Sequence, residues 1–212
     1  MLFQFPLFGV PVSVHWSTIF LILVFCLDGY VYAKTKQKDR GVAQYLVTGL
    51  VCAILIIISV FVHELSHAVV ANALGFHITK AGVNGLFAFV SNDYDIRTIS
   101  PLSEALIVIA GPASNFLLAL IGVPIIYLIG NSLPETIARY FSFMNVRLGR
   151  INLWPIFILD GAKILDAGVR ATIGGFAWAK YIPVVVSALF FAYLFSKKKG
   201  HFEIEDLIDK IP

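Results

Sequence analysis

Residues 53–67, "AILIIISVFVHELSH", decide the fold, because ten uncharged and mostly apolar residues run directly into two histidines and a glutamate. The apolar run is typical of a helix in lipid. Ionisable groups are energetically costly at membrane depth, so they are candidates for function wherever they occur there. A chance cluster at a helix end, satisfied by lipid headgroups and water, is the alternative interpretation.

Composition indicates that the whole chain is built for a membrane. Hydrophobic residues make up 58% of the sequence and charged residues 14%, and the mean hydropathy is +0.85. These values lie outside the range of soluble globular domains. Five apolar segments are long enough to span a bilayer, at about residues 16–33, 45–74, 103–130, 151–168 and 178–195. We therefore expect an all-α polytopic membrane protein with about five to six transmembrane helices, forming one integral membrane domain over residues 1–212.

Two segments are typical of short β-strands at the membrane surface. "FQFPLFGVPVSVHW" (residues 3–16) alternates around a Gly-Val-Pro turn, and "VNGLFAFV" (residues 83–90) lies between two apolar segments. We expect surface strands in residues 1–15, and either segment could pair with an extended substrate by adding a strand. The polar tail, residues 197–212, has one apolar helical face and is predicted to be an interfacial or docking helix; a solvated, frayed end is the alternative.

Charge and cysteine content narrow the classes of partner. The formal net charge is only +3, and no stretch interleaves basic with aromatic residues, so we expect no nucleic-acid partner. Cys26 and Cys52 both fall within apolar segments and form neither a disulfide framework nor a metal-binding motif. The lipid bilayer is the partner that composition predicts.

The chemistry is concentrated in "HELSH". On a helix, His63 and His67 share one face, with Cβ atoms roughly 5–6 Å apart. Two imidazoles so placed could reach one Zn²⁺ at about 2.0–2.1 Å each. A zinc ion lowers the pKa of a coordinated water to about 7, and the neighbouring carboxylate of Glu64 could accept the proton of that water as it attacks a carbonyl.

Two histidines do not complete a catalytic zinc site, which normally has three protein ligands and an open position for water. Asp160 is the best candidate for the third ligand, because it is a carboxylate in an apolar stretch broken by Pro155. Broken helices are tolerated at membrane depth where the freed backbone is buried or lines a wet cavity. Asp166 is the main competitor, but it lies closer to the polar end of this segment; Asp28 is better explained as an interfacial group.

Four motifs, in order along the chain, resemble those of the site-2 proteases, a family of intramembrane zinc metalloproteases. They are "GVPVSVHWS" (9–17), "HELSH" (63–67), "AGPASN" (110–115) and "NLWPIFILDG" (152–161). Each motif alone is weak evidence, and their order and spacing together make the resemblance specific. Since the chain lacks room for the PDZ or CBS domains that some members carry, it is similar to a minimal core of this family.

The resemblance implies a role for each polar residue of these motifs. One Zn²⁺ per chain would be bound by His63, His67 and Asp160, with Glu64 as the general base. Asn152 would face the site and hold the substrate backbone or the developing oxyanion. A pairing of Asn152 with carbonyls loosened by Pro155 is an equal alternative. For Asn115, a weaker candidate for the same role, a cap or an interhelical hydrogen bond is the favoured explanation.

The sequence therefore predicts a zinc metalloendopeptidase that hydrolyses a peptide bond in or near a transmembrane segment of a membrane-protein substrate, as in regulated intramembrane proteolysis. One alternative is another membrane-embedded HExxH metalloprotease with a glutamate as third ligand, for which Glu104 is the candidate. The other is a non-enzymatic metal-binding membrane protein. Against a carrier, the candidate ligands converge on one place, and Glu64 is not needed as a ligand.

Two signals for orientation conflict. The resemblance implies a zinc site nearer the cytosolic face, which would place "KTKQKDR" (34–40) and "SKKK" (196–199) on the far side of the membrane. The positive-inside rule predicts these clusters in the cytosol. The sequence leaves open the orientation, the natural substrate and any homo-oligomer or gating partner. We expect a multi-pass protein in the cell membrane of a prokaryote.

Overall fold

The described residues form six α-helices and four β-strands. The computed structural model describes residues 3–7, 10–76, 78–84, 87–92, 99–129, 132–174 and 176–196. The helices are α1 (Thr18–Lys36), α2 (Val42–Ala73), α3 (Pro101–Ile129), α4 (Leu133–Asn152), α5 (Asp160–Ile173) and α6 (Ile182–Ser196). The strands are β1 (Phe3–Leu7), β2 (Val10–Val14), β3 (Ile78–Asn84) and β4 (Phe87–Asn92). The predicted helical tail, residues 197–212, lies outside the described residues.

Three of the described helices are long and apolar enough to cross a membrane: α1, α2 and α3. With a rise of 1.5 Å per residue, the 32 residues of α2 extend over about 48 Å, more than the roughly 30 Å of a hydrocarbon core. Helix α6 is apolar but shorter. The expected architecture of apolar helices is confirmed, whereas the count of five to six membrane-spanning helices stays a prediction.

The outer surfaces of these helices are apolar. Large side chains with at least half of their area exposed occur on α1, α3 and α6, among them Phe20, Leu27, Leu117, Leu120, Leu128 and Leu189. Water-soluble proteins rarely expose so much contiguous apolar surface. These faces are therefore suited to contact with lipid chains.

The apolar segment predicted at residues 151–168 does not form one helix. Helix α4 ends at Asn152 and α5 begins at Asp160, with non-helical backbone between them. Pro155 has no backbone N–H, and it also disfavours helical backbone at the residue before it. The break places Asp160 in the first turn of a helix instead of in the middle of one.

Helix α4 is the element that the search for apolar segments missed. It contains Arg139, Arg147 and Arg150, which lower its apolar content. Its start nevertheless carries a capping box: the Glu135 N–H donates to Ser132 Oγ at 3.3 Å, and the Ser132 N–H donates to Glu135 Oε2 at 3.3 Å. The "SLPE" signature of this cap was present in the sequence.

The helices pack closely where small residues allow it. A Cβ atom at Gly49 in α2 would collide with the carbonyl oxygen of Cys26 in α1, so the backbones of the two helices touch here. Cys52 and Ile56 of α2 pack against Tyr140 and Met144 of α4 in a buried cluster. Helix α2 therefore packs against both α1 and α4.

The four strands form one sheet in the order β1-β2-β3-β4. The pair β1/β2 is antiparallel, and β2 pairs with β3 in parallel. The strand predicted at residues 83–90 is divided between the end of β3 and the start of β4, which pair antiparallel. The Asn-Gly pair at 84–85, a common hairpin dipeptide, was the sequence signal for this division. The expected position of these strands at the membrane surface stays a prediction.

Candidate metal centre

The two histidines of "HELSH" lie one helical turn apart on α2 and are buried, with 5% and 8% of their surface exposed. Their ring planes are nearly perpendicular, and their Nε2 atoms are 3.3 Å apart. The four-residue spacing of His63 and His67 thus places both side chains on one face of the helix.

Asp160 meets both histidines from the first turn of α5. Its Oδ2 atom lies 3.0 Å from His63 Nε2 and 3.4 Å from His67 Nε2, and the carboxylate is buried. Ligands held at about 2.0–2.2 Å around one tetrahedral ion are separated by about 3.3–3.6 Å. The two imidazole nitrogens and one carboxylate oxygen therefore fit a Zn²⁺ ion in both donor type and spacing.

Helix α3 closes one side of this centre at Gly111. A Cβ atom added there would lie 2.6 Å from His63 Nε2 and would also collide with the His67 ring. A glycine is required because the α3 backbone passes directly against both imidazoles. The sequence motif "AGPASN" contained this glycine, but nothing in the sequence indicated that it faces the histidines.

Each imidazole is fixed by a hydrogen bond on the side away from Asp160. The Nδ1–H of His67 donates to the carbonyl oxygen of Ile107 at 2.8 Å. The Nδ1–H of His63 donates to Oδ1 of Asn115 at 2.6 Å. Hydrogen bonds of this kind orient a histidine ring and fix the tautomer that leaves Nε2 free for a metal.

Asn115 is a fully buried residue of α3 whose side chain joins helices. This agrees with the interhelical hydrogen bond that the sequence favoured, and its partner is the ring of His63. Asn115 also donates to Asn145 of α4 at 3.1 Å. Asn145 was missed at the sequence level because the helix that carries it was not predicted.

Asn152 lies at the C-terminal end of α4 and is half-buried. Among the hydrogen bonds of the described residues, none joins its side chain to His63, His67 or Asp160. Its role toward a substrate carbonyl therefore stays a prediction.

Glu64 is half-buried and adjoins His63 in α2. Its carboxylate interacts electrostatically with His67, His63 and Asp160, and with Lys163. The Lys163 ammonium lies 3.3 Å from Asp160 Oδ1 and is half-exposed. A carboxylate at the edge of the three candidate ligands, partly open to its surroundings, has the position that a general base needs.

The two competitors for the third ligand lie elsewhere. Glu104 is buried in the first turn of α3 and forms an ion pair with Arg170 of α5. Asp166 also contacts this arginine, with its Oδ2 atom 3.3 Å from Arg170 Nε. The guanidinium further donates to the Ile99 carbonyl at 3.3 Å. Arg170 thus forms ion pairs with both carboxylates, and it links α5 to the start of α3.

We expect Arg170→Leu to destabilise the protein strongly, because it leaves the Glu104 carboxylate buried without its cation. Breaking one partner of a buried pair typically costs about 3–5 kcal/mol. The double variant Glu104→Leu/Arg170→Leu should regain most of this loss, since no uncompensated charge remains. Thermal unfolding in detergent measures both changes. Equal unfolding midpoints for the two variants would contradict the buried ion pair.

Comparison with known proteins agrees with the geometry. The sequence model of the family described as Peptidase family M50 matches residues 51–142. Among curated relatives, Rip3 of Mycobacterium tuberculosis is 28% identical over 85% of this chain and 49% of its own length. A Synechocystis protein is 31% identical over 76% of this chain and 42% of its own length. Zinc metalloprotease MJ0392 of Methanocaldococcus jannaschii is 27% identical over 77% and 44%. All three are named as zinc metalloproteases, the first two provisionally. The chain spans about half the length of these relatives.

A solved structure shares the fold. The structure titled "Site-2 Protease from Methanocaldococcus jannaschii" aligns with a TM-score of 0.57 and 23% identity, over 92% of this chain and 86% of that chain. The similarity therefore extends through nearly all of the helices and strands described above.

Proposed function

We infer that the chain is a member of the site-2 protease family, peptidase family M50, and that it is a membrane-embedded zinc metalloendopeptidase. Its proposed reaction is hydrolysis of a peptide bond in or near a transmembrane segment of a membrane-protein substrate. The observation that carries this proposal is the convergence of His63, His67 and Asp160 on one buried point, with Glu64 directly following the first of these residues in the chain.

The proposed ligands of one Zn²⁺ are His63 Nε2, His67 Nε2 and a carboxylate oxygen of Asp160. When bound, the ion would act as a Lewis acid that acidifies water and polarises a substrate carbonyl. The fold itself orients these three donors, since each histidine ring is fixed at Nδ1 and Asp160 lies in the first turn of a helix.

Glu64 is the proposed general base. Its carboxylate takes a proton from the attacking water and later delivers it to the leaving amine, as such a group does in peptide hydrolysis. Asn152 is the proposed donor to the substrate backbone or to the oxyanion, because it is the last residue of α4, the helix whose Asn145 bonds to Asn115 behind His63. Lys163, beside Asp160, adds a positive charge near the candidate ligands.

We propose that the protein is a multi-pass component of a prokaryotic cell membrane. The exposed apolar faces of α1, α3 and α6 support this location, as do the three helices long enough to cross a bilayer. The rival metalloprotease with Glu104 as third ligand is less well supported, since Arg170 pairs with this carboxylate.

A substrate helix hides its carbonyls in its own hydrogen bonds, so it must unwind locally before hydrolysis. The sheet offers a partner for the extended segment, because β1 and β4 are its edge strands. An extended peptide adds to such an edge through main-chain hydrogen bonds. We propose that the substrate binds to this sheet in extended form on its way to the zinc site.

Cleavage by purified protein tests the proposed function. Detergent-purified protein should contain about one zinc per chain and should cleave candidate transmembrane substrates, because three ligands and an open position make a catalytic site. A zinc chelator should abolish cleavage, and added Zn²⁺ should restore it. Cleavage that survives complete removal of the metal would contradict the proposal.

A further inference from the structure

A chain of buried polar side chains runs from the back of His63 through three helices. Its members are Asn115 of α3, Asn145 of α4 and Ser59 of α2, each with none of its surface exposed. Ser59 lies one turn before His63 on the same helix, so the chain leaves α2 at one turn and returns to it at the next. Buried polar groups among apolar helices are costly unless every one of them is paired. Such a closed set of bonds therefore needs an explanation.

The direction of every hydrogen bond in this chain is fixed by two backbone carbonyls, which can only accept. Asn145 Nδ2 lies 2.9 Å from the carbonyl oxygen of Phe141, so this atom must be the amide nitrogen. The Ser59 hydroxyl donates to the carbonyl oxygen of Leu55 at 2.9 Å, so its oxygen is left to accept from Asn145 Nδ2 at 3.0 Å. The Oδ1 atom of Asn145 consequently faces Asn115.

This direction is passed on to the histidine. Since Asn145 presents an acceptor, Asn115 must donate to it with Nδ2, at 3.1 Å. Asn115 therefore presents Oδ1 to His63, and only the tautomer with a proton on Nδ1 can donate to it, at 2.6 Å. The remaining ring nitrogen, Nε2, which lies 3.0 Å from Asp160 Oδ2, is then the one left to bind a cation shared with that carboxylate.

We propose that Asn145 and Ser59 are positioning residues that select the tautomer of His63 through Asn115, and so prepare Nε2 to bind the metal. This inference rests on the proposed function and adds residues outside the motifs of the sequence. We call the chain Ser59–Asn145–Asn115 the relay. His67 needs no relay, because the Ile107 carbonyl fixes its Nδ1–H directly. The relay also gives α4, which contributes none of the three candidate ligands, a defined part in holding the site.

Loss of a partner behind a metal-binding histidine typically lowers metal affinity or activity about 10–100-fold. We therefore expect Asn145→Leu, which removes both amide groups at similar volume, to weaken zinc binding by about that factor, as measured by competition with a chelator. In metal-free Asp160→Ala protein, which lacks the carboxylate that would favour a proton on Nε2, ¹⁵N NMR of labelled histidine should show His63 as one tautomer, and as a mixture when Asn145→Leu is added. The signal of His63 is identified by its absence in His63→Asn.

A matched series separates positioning from general stability. Ser59→Ala should weaken zinc binding less than Asn145→Leu does, because Phe141 still anchors the amide, and Ser59→Thr should restore the affinity by returning the hydroxyl. Thr48→Val is the control: Thr48 is a buried hydroxyl on the same helix that donates to the Gln44 carbonyl at 2.8 Å and lies outside the relay. It should leave zinc affinity and the His63 tautomer unchanged.

The outcomes decide the inference independently of proteolysis. Wild-type affinity and a single His63 tautomer in Asn145→Leu would overturn it, as would equal losses in Ser59→Ala and Thr48→Val. If Asn145→Leu does not fold, the comparison of Ser59→Ala, Ser59→Thr and Thr48→Val decides alone. The variants could change the His63 tautomer and the zinc affinity as expected in a protein that shows no protease activity. That result would refute the proposed function and leave this inference standing.

Discussion

Glu64→Gln should abolish peptide hydrolysis while the protein keeps its fold and its zinc. The amide is nearly isosteric with the carboxylate, but it cannot accept a proton from the attacking water. General base catalysis contributes about 10²–10⁴-fold to a reaction rate, so the cleavage rate should fall by at least the lower of these factors. Glu64 is absent from the convergent group of His63, His67 and Asp160, and zinc content should accordingly stay at the wild-type level.

The measurement is the initial rate of substrate cleavage with zinc determined on the same sample. Asp166→Asn is a matched control, because it makes the same carboxylate-to-amide change at a half-buried position that contacts Arg170 instead of the metal centre. This variant should cleave at a rate close to that of the wild type. A Glu64→Gln protein that cleaves nearly as fast as the wild type would show that another group is the base.

Asp160→Ala should lose zinc and activity together. The carboxylate supplies one of the three donor atoms and the negative charge of the centre, and its Oδ2 atom lies close to both Nε2 atoms. Without it two imidazoles remain, and both coordination number and electrostatic attraction fall. Zinc should drop from about one per chain to near zero after dialysis, as expected for a site with two remaining ligands. His67→Ala should behave in the same way.

The controls for this prediction are the two carboxylates held by Arg170. Asp166→Ala and Glu104→Ala should keep most of the metal, although Glu104→Ala should lower stability because it leaves the arginine without its buried partner. Zinc per mole is measured in all four variants, with folding checked by gel filtration and circular dichroism. Full zinc occupancy in Asp160→Ala, or zinc loss in Glu104→Ala alone, would favour the rival site built around Glu104.

The candidate ligands could be identified from the sequence because they are exceptions to its composition. His63, Glu64, His67 and Asp160 are polar residues in apolar surroundings, where the energetic cost of charge leaves few explanations other than function. The resemblance to the site-2 protease family, with which the comparisons agree, rested on four motifs, and these residues lie in two of them.

Residues that act through tertiary contacts gave no such signal. Asn145 lies in an amphipathic helix rich in arginine, where a polar residue is not exceptional. Its function becomes evident only from its contact with Asn115 of α3. Gly111 is one of 16 glycines, and its role is evident only from the close approach of both imidazoles to its backbone. Hydropathy locates apolar helices well, but it does not report which faces of different helices meet.

The break between α4 and α5 shows the limit of apolar length as a criterion. The segment at residues 151–168 is apolar enough for a helix, yet Pro155 interrupts it and Asp160 begins a new one. The sequence contained both signals, and the expected break at Pro155 was correct. The error lay in treating the segment as one span, because transfer energy depends on composition and not on backbone continuity.

The parallel pairing of β2 with β3 has a consequence for the order of folding. Strand β2 precedes α1 and β3 follows α2, so the crossover between the paired strands consists of both helices. A parallel pair forms after its crossover has brought the strands together, and a β1–β2 hairpin alone is marginally stable. During synthesis the complete sheet can therefore assemble only once α1 and α2 have formed and packed against each other. Its completion marks the point at which the turn that carries both histidines has reached its final place in the fold.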